Sequence, residues 1–274
     1  MYFMMLVGLS LIIAFIFNFS RFFIRHFGYQ FIGPKNYRYI DMRPKVMGVS
    51  DIDILNKYFD FYNRLPLKSK KIFENRVIKF IDLKKFETRQ DLDLTREMKV
   101  LISASAIQLT FGLKDYRMLH FERILIYPDK YFSKSTNSYH LGEANSRGLV
   151  VFSWKSFLKG YIIEDDNLNI GLHEFSHALF LNYFKGKKQD YHFDEQYHIW
   201  KAEGSVEFFK LKKYDCDYLR EYATTNMMEF FAVCVECFFE TPNQLKNKHP
   251  KIYNQLSKLL VQNPILLKPK KVTF

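Results

Sequence analysis

The chain has 274 residues, 48% of them hydrophobic, and 41 basic against 29 acidic side chains give it a net charge of +12. Residues 51–274 suffice for one domain with a sizeable core, and the sequence shows no internal repeat or low-complexity tract. The positive charge would suit nucleic acid, but no recognised binding motif accompanies it, so we expect no nucleic-acid partner.

The first stretch, Met1 to Phe17, is apolar and carries no charged side chain. About twenty such residues cross a bilayer as a helix, so residues 1–20 are predicted to be a transmembrane anchor. A cleaved signal peptide is the rival interpretation, but no basic segment precedes the run and no small-residue cleavage site follows it. Basic residues such as Arg21 and Arg25 follow the span, which predicts a single-pass membrane protein with its main domain in the cytoplasm.

Residues 21–50 are basic and aromatic, with several glycines and prolines, and are predicted to be a juxtamembrane linker. The three cysteines, Cys216, Cys234 and Cys237, form no scaffold-like pattern, which fits a reducing compartment. Cys234 and Cys237 form a C-x-x-C pair, for which a redox or zinc role is the alternative. Their apolar helical surroundings favour an ordinary core position.

The domain that follows shows both helical and strand patterns. Apolar spacing predicts one amphipathic helix near Ser69 to Leu83 and another that starts at Thr95 as N-cap and ends near Gly112. Strands are predicted at Arg123 to Tyr127 and at Gly148 to Ser153, followed by a helix from Trp154. The polar stretch from Ser133 to Arg147 is either an edge hairpin or a loop.

The most informative motif is His173-Glu174-Phe175-Ser176-His177, an H-E-x-x-H sequence in an apolar run. On a helix, His173 and His177 lie one turn apart on the same face and can bind one zinc ion. Two imidazoles leave room for a third protein ligand and a water, and Glu174 is placed to act as the general base. The motif therefore predicts hydrolysis of peptide bonds by a zinc-activated water.

A third ligand is expected from the segment Tyr222 to Phe239, which reads as one buried helix broken near Pro242. Glu229 and Glu236 are seven residues apart and so lie on one face of it. Carboxylates are rare in such surroundings unless they are paired or bound to metal. Spacing does not choose between them, and the one that is not a ligand could orient a ligand histidine.

The chain resembles the Mlc titration factor A family of zinc-dependent peptidases over most of its length after the linker. The motifs that carry the resemblance are Leu65-Pro66-Leu67, Glu97 to Ala104, Ile126-Tyr127-Pro128, Gly142-Glu143, Arg147 to Trp154, His173 to His177, Glu229 to Val233, and Glu236-x-Phe238-Phe239.

The resemblance implies an α+β, zincin-like metallopeptidase domain related to the catalytic domain of anthrax lethal factor, with a mainly helical core and a small sheet. It implies a gluzincin-like site in which His173, His177 and Glu229 bind zinc and Glu174 is the base. The hydroxyl of Tyr222 would hydrogen-bond the oxyanion. With the predicted anchor, the fold class becomes this domain preceded by one transmembrane helix.

We therefore expect a membrane-anchored zinc metallopeptidase with peptide or protein substrates and an aminopeptidase-like activity. The alternative is an interaction protein with a structural zinc site that sequesters a transcriptional regulator. The residues after the motif, Ala178-Leu179-Phe180-Leu181, depart from the continuation common in the family. This departure and the apolar amino-terminal segment leave the metal site intact but bear on substrate and partners.

Overall fold

The computed structural model of the protein describes residues 43–133, 137–185, 191–213 and 218–267, all of which belong to one unit, Tyr39–Phe274. In chain order the elements are α1 (Val49–Tyr58), α2 (Asp60–Arg64), α3 (Leu67–Leu83), β1 (Lys85–Thr88), α4 (Arg96–Thr110), β2 (Arg123–Tyr127), β3 (Tyr131–Ser133), β4 (Ser138–His140), β5 (Gly142–Asn145), β6 (Leu149–Ser153), α5 (Trp154–Ile162), α6 (Ile170–Lys185), α7 (Tyr191–Lys213), a 3-10 turn (Glu221–Thr224), α8 (Met227–Glu240), α9 (Pro242–Lys248), α10 (Pro250–Leu259) and a 3-10 turn (Pro264–Leu266).

The larger sheet has four strands in the order β1-β2-β6-β5. The strands β1, β2 and β6 are parallel, with Ile124 paired to Val150, while β5 is antiparallel to β6 and lies at the edge. The tight turn from β5 to β6 requires glycine at position 148, because its φ is +81° and a Cβ there would lie 2.3 Å from the carbonyl oxygen of His120. A separate hairpin joins β3 and β4. The polar stretch predicted as hairpin or loop thus contains strands β4 and β5.

The core surrounds helix α4, in which every residue from Val100 to Thr110 is buried. Helix α6 packs against α4, α8 and the edge strand β5. The helices α4 and α6 approach closely at Gly171, where an added Cβ would lie 2.6 Å from the Ser105 Oγ. Small residues therefore bring α6 into the centre of the domain, and buried apolar side chains hold it there.

The helix boundaries follow local capping. The side chain of Thr95 accepts a hydrogen bond from the Met98 amide, as the sequence predicted for the start of α4. The prediction of one helix from Tyr222 was wrong, since α8 begins only at Met227. The Asn226 side chain accepts hydrogen bonds from the amides of Met228 and Glu229, so it caps the helix there and leaves Tyr222 in a 3-10 turn.

The predicted fold class needs correction. The described residues are mostly helical with two small sheets, and none of their helices is long and apolar enough to cross a bilayer. The longest of these helices, α7, has 23 residues and carries charged side chains from Asp194 to Lys213. The prediction of a transmembrane helix was therefore wrong. The prediction of a single-pass membrane localisation, which was derived from it, was wrong as well. Residues 1–20 and 21–42, on which the anchor and most of the linker were predicted, lie outside the described residues.

Candidate metal centre

Helix α6 carries the H-E-x-x-H motif in its first half, where Gly171 to Leu179 are all buried. Asn169 fixes the start of the helix: its Oδ1 accepts a hydrogen bond from the Leu172 amide at 3.0 Å, and its Nδ2 donates to the Gly160 carbonyl at 2.8 Å. His173 and His177 follow on one face of this anchored turn, with their ring centroids 4.8 Å apart.

The two imidazoles meet a carboxylate from α8. The Nε2 of His173 lies 3.0 Å from Glu229 Oε2 and 3.2 Å from the Nε2 of His177, which is itself 3.3 Å from Glu229 Oε2. In tetrahedral zinc sites with bonds of about 2.0–2.1 Å, donor atoms lie roughly 3.3 Å apart. Two imidazole nitrogens and one carboxylate oxygen at these separations fit a zinc-sized divalent ion with a fourth position left for water.

The other ring nitrogen of His173, Nδ1, also has a carboxylate partner. Its Nδ1 lies 3.0 Å from Glu236 Oε2, two turns along α8 from Glu229. Glu236 is 2% exposed, accepts a hydrogen bond from the Asn169 amide at 2.8 Å and forms an ion pair with Arg220. Because a carboxylate only accepts, Nδ1 carries a proton that it donates to Glu236, and Nε2 is the nitrogen that faces His177 and Glu229.

The charges at the site shift several pKa values. Burial lowers the pKa of His173, but hydrogen bonds to Glu229 and Glu236 outweigh it and raise the pKa to about 10. Burial raises the pKa of Glu229, yet its hydrogen bonds to His173 and His177 prevail and hold the pKa well below the usual range. Glu229 is therefore an anion that faces two imidazoles.

Glu174, the predicted base, is 5% exposed, and burial raises its pKa. The edge strand β5 passes directly beside it: a Cβ at Gly142 would lie 2.7 Å from Glu174 Cγ and 2.8 Å from its Oε1. The next residue, Glu143, accepts a hydrogen bond from Ser133 Oγ at 3.2 Å. Burial raises the pKa of Tyr131, and the charges of Glu143 and Glu174 add to that effect. Glu143 and Glu174 thus both lie close enough to Tyr131 to act on its hydroxyl.

Tyr222 lies in the 3-10 turn before α8, with half of its surface exposed. Its ring centroid is 5.9 Å from that of His173. Burial raises the pKa of Tyr222 to about 12, and the charges of Glu229 and Glu174 contribute to the rise. The fold thus brings all five predicted site residues into one region, from α6, the 3-10 turn and α8.

Sequence reasoning missed Arg220 and Asn169, which both bind Glu236. Asn169 carried a usable signal, since an asparagine just before an apolar helix is a common N-cap. Arg220 carried none, because its contact depends on how the chain turns before Tyr222. Cys234 and Cys237 are buried, and burial raises the pKa of the Cys237 thiol to about 12, which agrees with a core position. Cys216 lies outside the described residues.

Within the described part of the chain, His173, His177 and Glu229 are the group of side chains whose donor atoms converge, all within 4.8 Å of one another. Such donors on two buried helices define a candidate divalent-metal centre of the kind found in metal-dependent hydrolases.

Comparison with known sequences agrees with this class. Residues 36–260 match the model of the glucose-regulated metallo-peptidase M90 family, and the chain belongs to that family, which indicates a metallopeptidase. A relative from Synechocystis sp., described as the uncharacterized protein slr2042, is 26% identical over 232 residues that cover 78% of this chain and 84% of the relative. The family prediction is thereby confirmed, while the relation to anthrax lethal factor stays a prediction.

Proposed function

We propose that the protein is a zinc-dependent metallopeptidase that hydrolyses peptide bonds, with His173, His177 and Glu229 as zinc ligands and Glu174 as the general base. The observation that supports this most strongly is the convergence of three suitable donor atoms within 4.8 Å on two buried helices. A buried glutamate between the two histidines adds to it, because a site that served only to hold a structural metal would not need that residue.

Zinc, when bound, supplies Lewis acidity toward a peptide carbonyl and lowers the pKa of a water toward about 7. With zinc held by His173, His177 and Glu229, Glu174 would take a proton from the attacking water and later deliver it to the leaving amine. Burial raises the pKa of Glu174, which brings its proton affinity closer to the value that both steps require. Gly142 leaves the space that this side chain needs.

Tyr222 is the proposed donor to the oxyanion that forms when water attacks the carbonyl. With a pKa of about 12, its hydroxyl stays protonated at neutral pH and can donate a hydrogen bond. Its half-exposed position leaves it accessible to a substrate that enters from solvent.

Glu236 is the proposed positioning residue. Its Oε2 accepts a hydrogen bond from His173 Nδ1, and Glu236 is itself held by Arg220 and the backbone amide of Asn169. This arrangement fixes the ring orientation, so that Nε2 is the nitrogen that faces the proposed metal position.

The resemblance to peptidases of short substrates supports an aminopeptidase-like specificity as part of the proposal. A free amino terminus carries a positive charge, and Glu143 on the edge strand β5, which acts together with Glu174 on Tyr131, is the carboxylate proposed to attract it. Peptides with free amino termini should then be cleaved faster than the same peptides with acetylated ones.

The test compares wild type with Glu174→Gln, using zinc content and the hydrolysis of paired free and acetylated peptides as readouts. We expect Glu174→Gln to keep its zinc and to lose about 10²- to 10⁴-fold in rate, because the base is removed while all three ligands remain. Glu122→Gln, on an exposed side chain, is the matched control and should keep full activity. Equal hydrolysis by wild type and Glu174→Gln would refute the role of Glu174.

A further inference from the structure

A cavity of about 610 Å³ lies where α5, the carboxyl end of α8 and the segment around α2 meet, and none of the three metal-centre donors lines it. Its volume falls within the range of about 300–1,000 Å³ that small-molecule sites occupy. Ile162 at its rim is 71% exposed, so the cavity is accessible from solvent.

The floor of this cavity contains Glu240, the last residue of α8. Both carboxylate oxygens are buried, and neither has a hydrogen-bond partner among the described residues. Burial raises the pKa of Glu240 to about 8. The amides of Asn169 and Asn167 offset part of that rise but do not meet hydrogen-bonding geometry. A buried carboxyl group in this state costs free energy that a cationic partner would recover.

A second acceptor faces the same space. Gln108, from the central helix α4, is 6% exposed, and its Oε1 is buried without a hydrogen-bond partner among the described residues. Aromatic rings complete the wall: Phe59 stacks on Tyr161 with centroids 4.9 Å apart, and Phe239 lies edge-on to Phe61 at 6.0 Å. Aromatic faces attract cations and pack against apolar groups.

The charged side chains that line the cavity favour a positively charged ligand. The basic residue of the lining, Arg64, lies 3.6 Å from Asp60 and also donates to the Pro264 carbonyl. Glu240, Glu164 and Asp165 add three further acidic side chains to the wall. The cavity is thus acidic on a chain whose net charge is +12.

We propose that this cavity is a binding site for a primary ammonium group attached to an apolar or aromatic body, with Glu240 and Gln108 as acceptors. The N–H donors of an ammonium group match the carboxylate and the amide oxygen, and the body of the ligand packs on the rings of Phe59 and Tyr161. The site does not depend on the proposed zinc chemistry, because none of the three metal-centre donors lines the cavity.

A free amine and the side chain of lysine share this chemistry, so both are used as probes in calorimetric titrations of the full chain. We expect 2-phenylethylamine or Nα-acetyl-lysine amide to bind. Tighter binding of 2-phenylethylamine would identify the ligand as a free amine, and tighter binding of Nα-acetyl-lysine amide would identify it as a lysine side chain. The neutral isostere 2-phenylethanol should bind at least about 10-fold more weakly than 2-phenylethylamine, because it lacks the charge that pairs with Glu240.

Glu240→Gln should weaken binding of the amine by about 10- to 100-fold, since a charge-assisted hydrogen bond is replaced by a neutral one. Asp93→Asn removes the same charge at an exposed position outside the cavity and should bind the amine like wild type. Gln108→Leu, nearly equal in shape, provides a second test should Glu240→Gln fail to fold. Chemical-shift changes of the Gln108 and Asn169 side-chain amides should report the ligand at this place.

Either of two results overturns the proposal. One is equal binding of the amine by wild type, Glu240→Gln and Gln108→Leu. The other is no binding of either amine probe by wild type up to about 10 mM, which corresponds to a negligible affinity. Glu240 would then be a protonated structural carboxyl group.

Discussion

Helix α8 carries three glutamates, and the partners of their carboxylates differ between its two ends. In the first turn, Glu229 faces two imidazoles, and its pKa lies well below the usual range. In the middle, Glu236 is bound by His173, Arg220 and the Asn169 amide. At the last residue, Glu240 is buried without a hydrogen-bond partner among the described residues, and burial raises its pKa to about 8.

The comparison shows that partners, more than depth, decide the state of a buried acid. Glu236 is the most buried of the three, yet it has a donor or cation on each side. Glu240 is less buried and lacks such partners, so the neutral form is favoured. The two regions share Asn169, whose amide donates to Glu236 and whose residue also lines the cavity that contains Glu240.

The largest expected effect comes from removing a partner at the metal centre. Glu229→Gln should reduce zinc affinity by more than about 100-fold, because it removes the anionic ligand, whereas Glu236→Gln should reduce it by about 10- to 100-fold through the orientation of His173. Competition with a zinc chelator measures both affinities on the same scale. The opposite ranking would show that Glu236 is the ligand and Glu229 the positioning residue.

Glu122→Gln controls for the loss of one negative charge and should leave zinc affinity unchanged. A fall in affinity for this exposed variant would mean that the net charge of the protein, and not the local donors, governs metal binding.

At the other end of α8, the prediction concerns stability and pH. The pKa of Glu240 is raised from 4.5 to about 8, so between these values the folded protein holds a proton that the unfolded chain has released. The free energy of unfolding of wild type should therefore fall, relative to Glu240→Gln, as pH rises from about 4.5 to 8. The slope for one proton is at most about 1.4 kcal/mol per pH unit.

Urea unfolding of both proteins at several pH values measures this difference. Parallel stability profiles for wild type and Glu240→Gln would show that the carboxyl group titrates at its ordinary pKa and that the contrast along α8 is false. If the amine probe binds at this site, its presence should reduce the difference in slope, since a cation favours the ionised form.

The sequence predicted the residues of the metal centre far better than those of the cavity that contains Glu240. The pairing of His173 with His177 is visible in the chain because helical periodicity places residues four apart on one face of α6. The choice between Glu229 and Glu236 was left open, since both lie on one face of α8 and only the packing of α8 on α6 sets which imidazole nitrogen each one meets. The cavity had no signature, because Gln108 and Glu240 are 132 positions apart and ordinary in composition.

Local sequence patterns predicted some of the helices and strands correctly and others wrongly. The cap at Thr95 and the parallel strands β2 and β6 followed their patterns, as did α3. The start of α8 did not, because the side chain of Asn226 competes with helix continuation and ends the turn that contains Tyr222. The fold-class prediction was wrong in including a transmembrane helix, which rested on hydropathy alone.

The smallest expected effect is a difference in zinc affinity between variants of two N-cap residues, Asn226 of α8 and Thr95 of α4. Asn226→Ala and Thr95→Ala each remove a side-chain acceptor from the first turn of a helix, and each should cost about 1 kcal/mol of stability. Their effects on zinc should differ, because Asn226 holds the turn that carries Glu229, while Thr95 caps α4, which carries none of the three metal-centre donors. Asn226→Ala should lower zinc affinity by up to about 5-fold, which is the same free energy expressed as binding, and Thr95→Ala should leave it unchanged. Equal zinc affinity in the two variants, with equal loss of stability, would mean that the metal itself holds Glu229 in place and that the cap contributes only to folding.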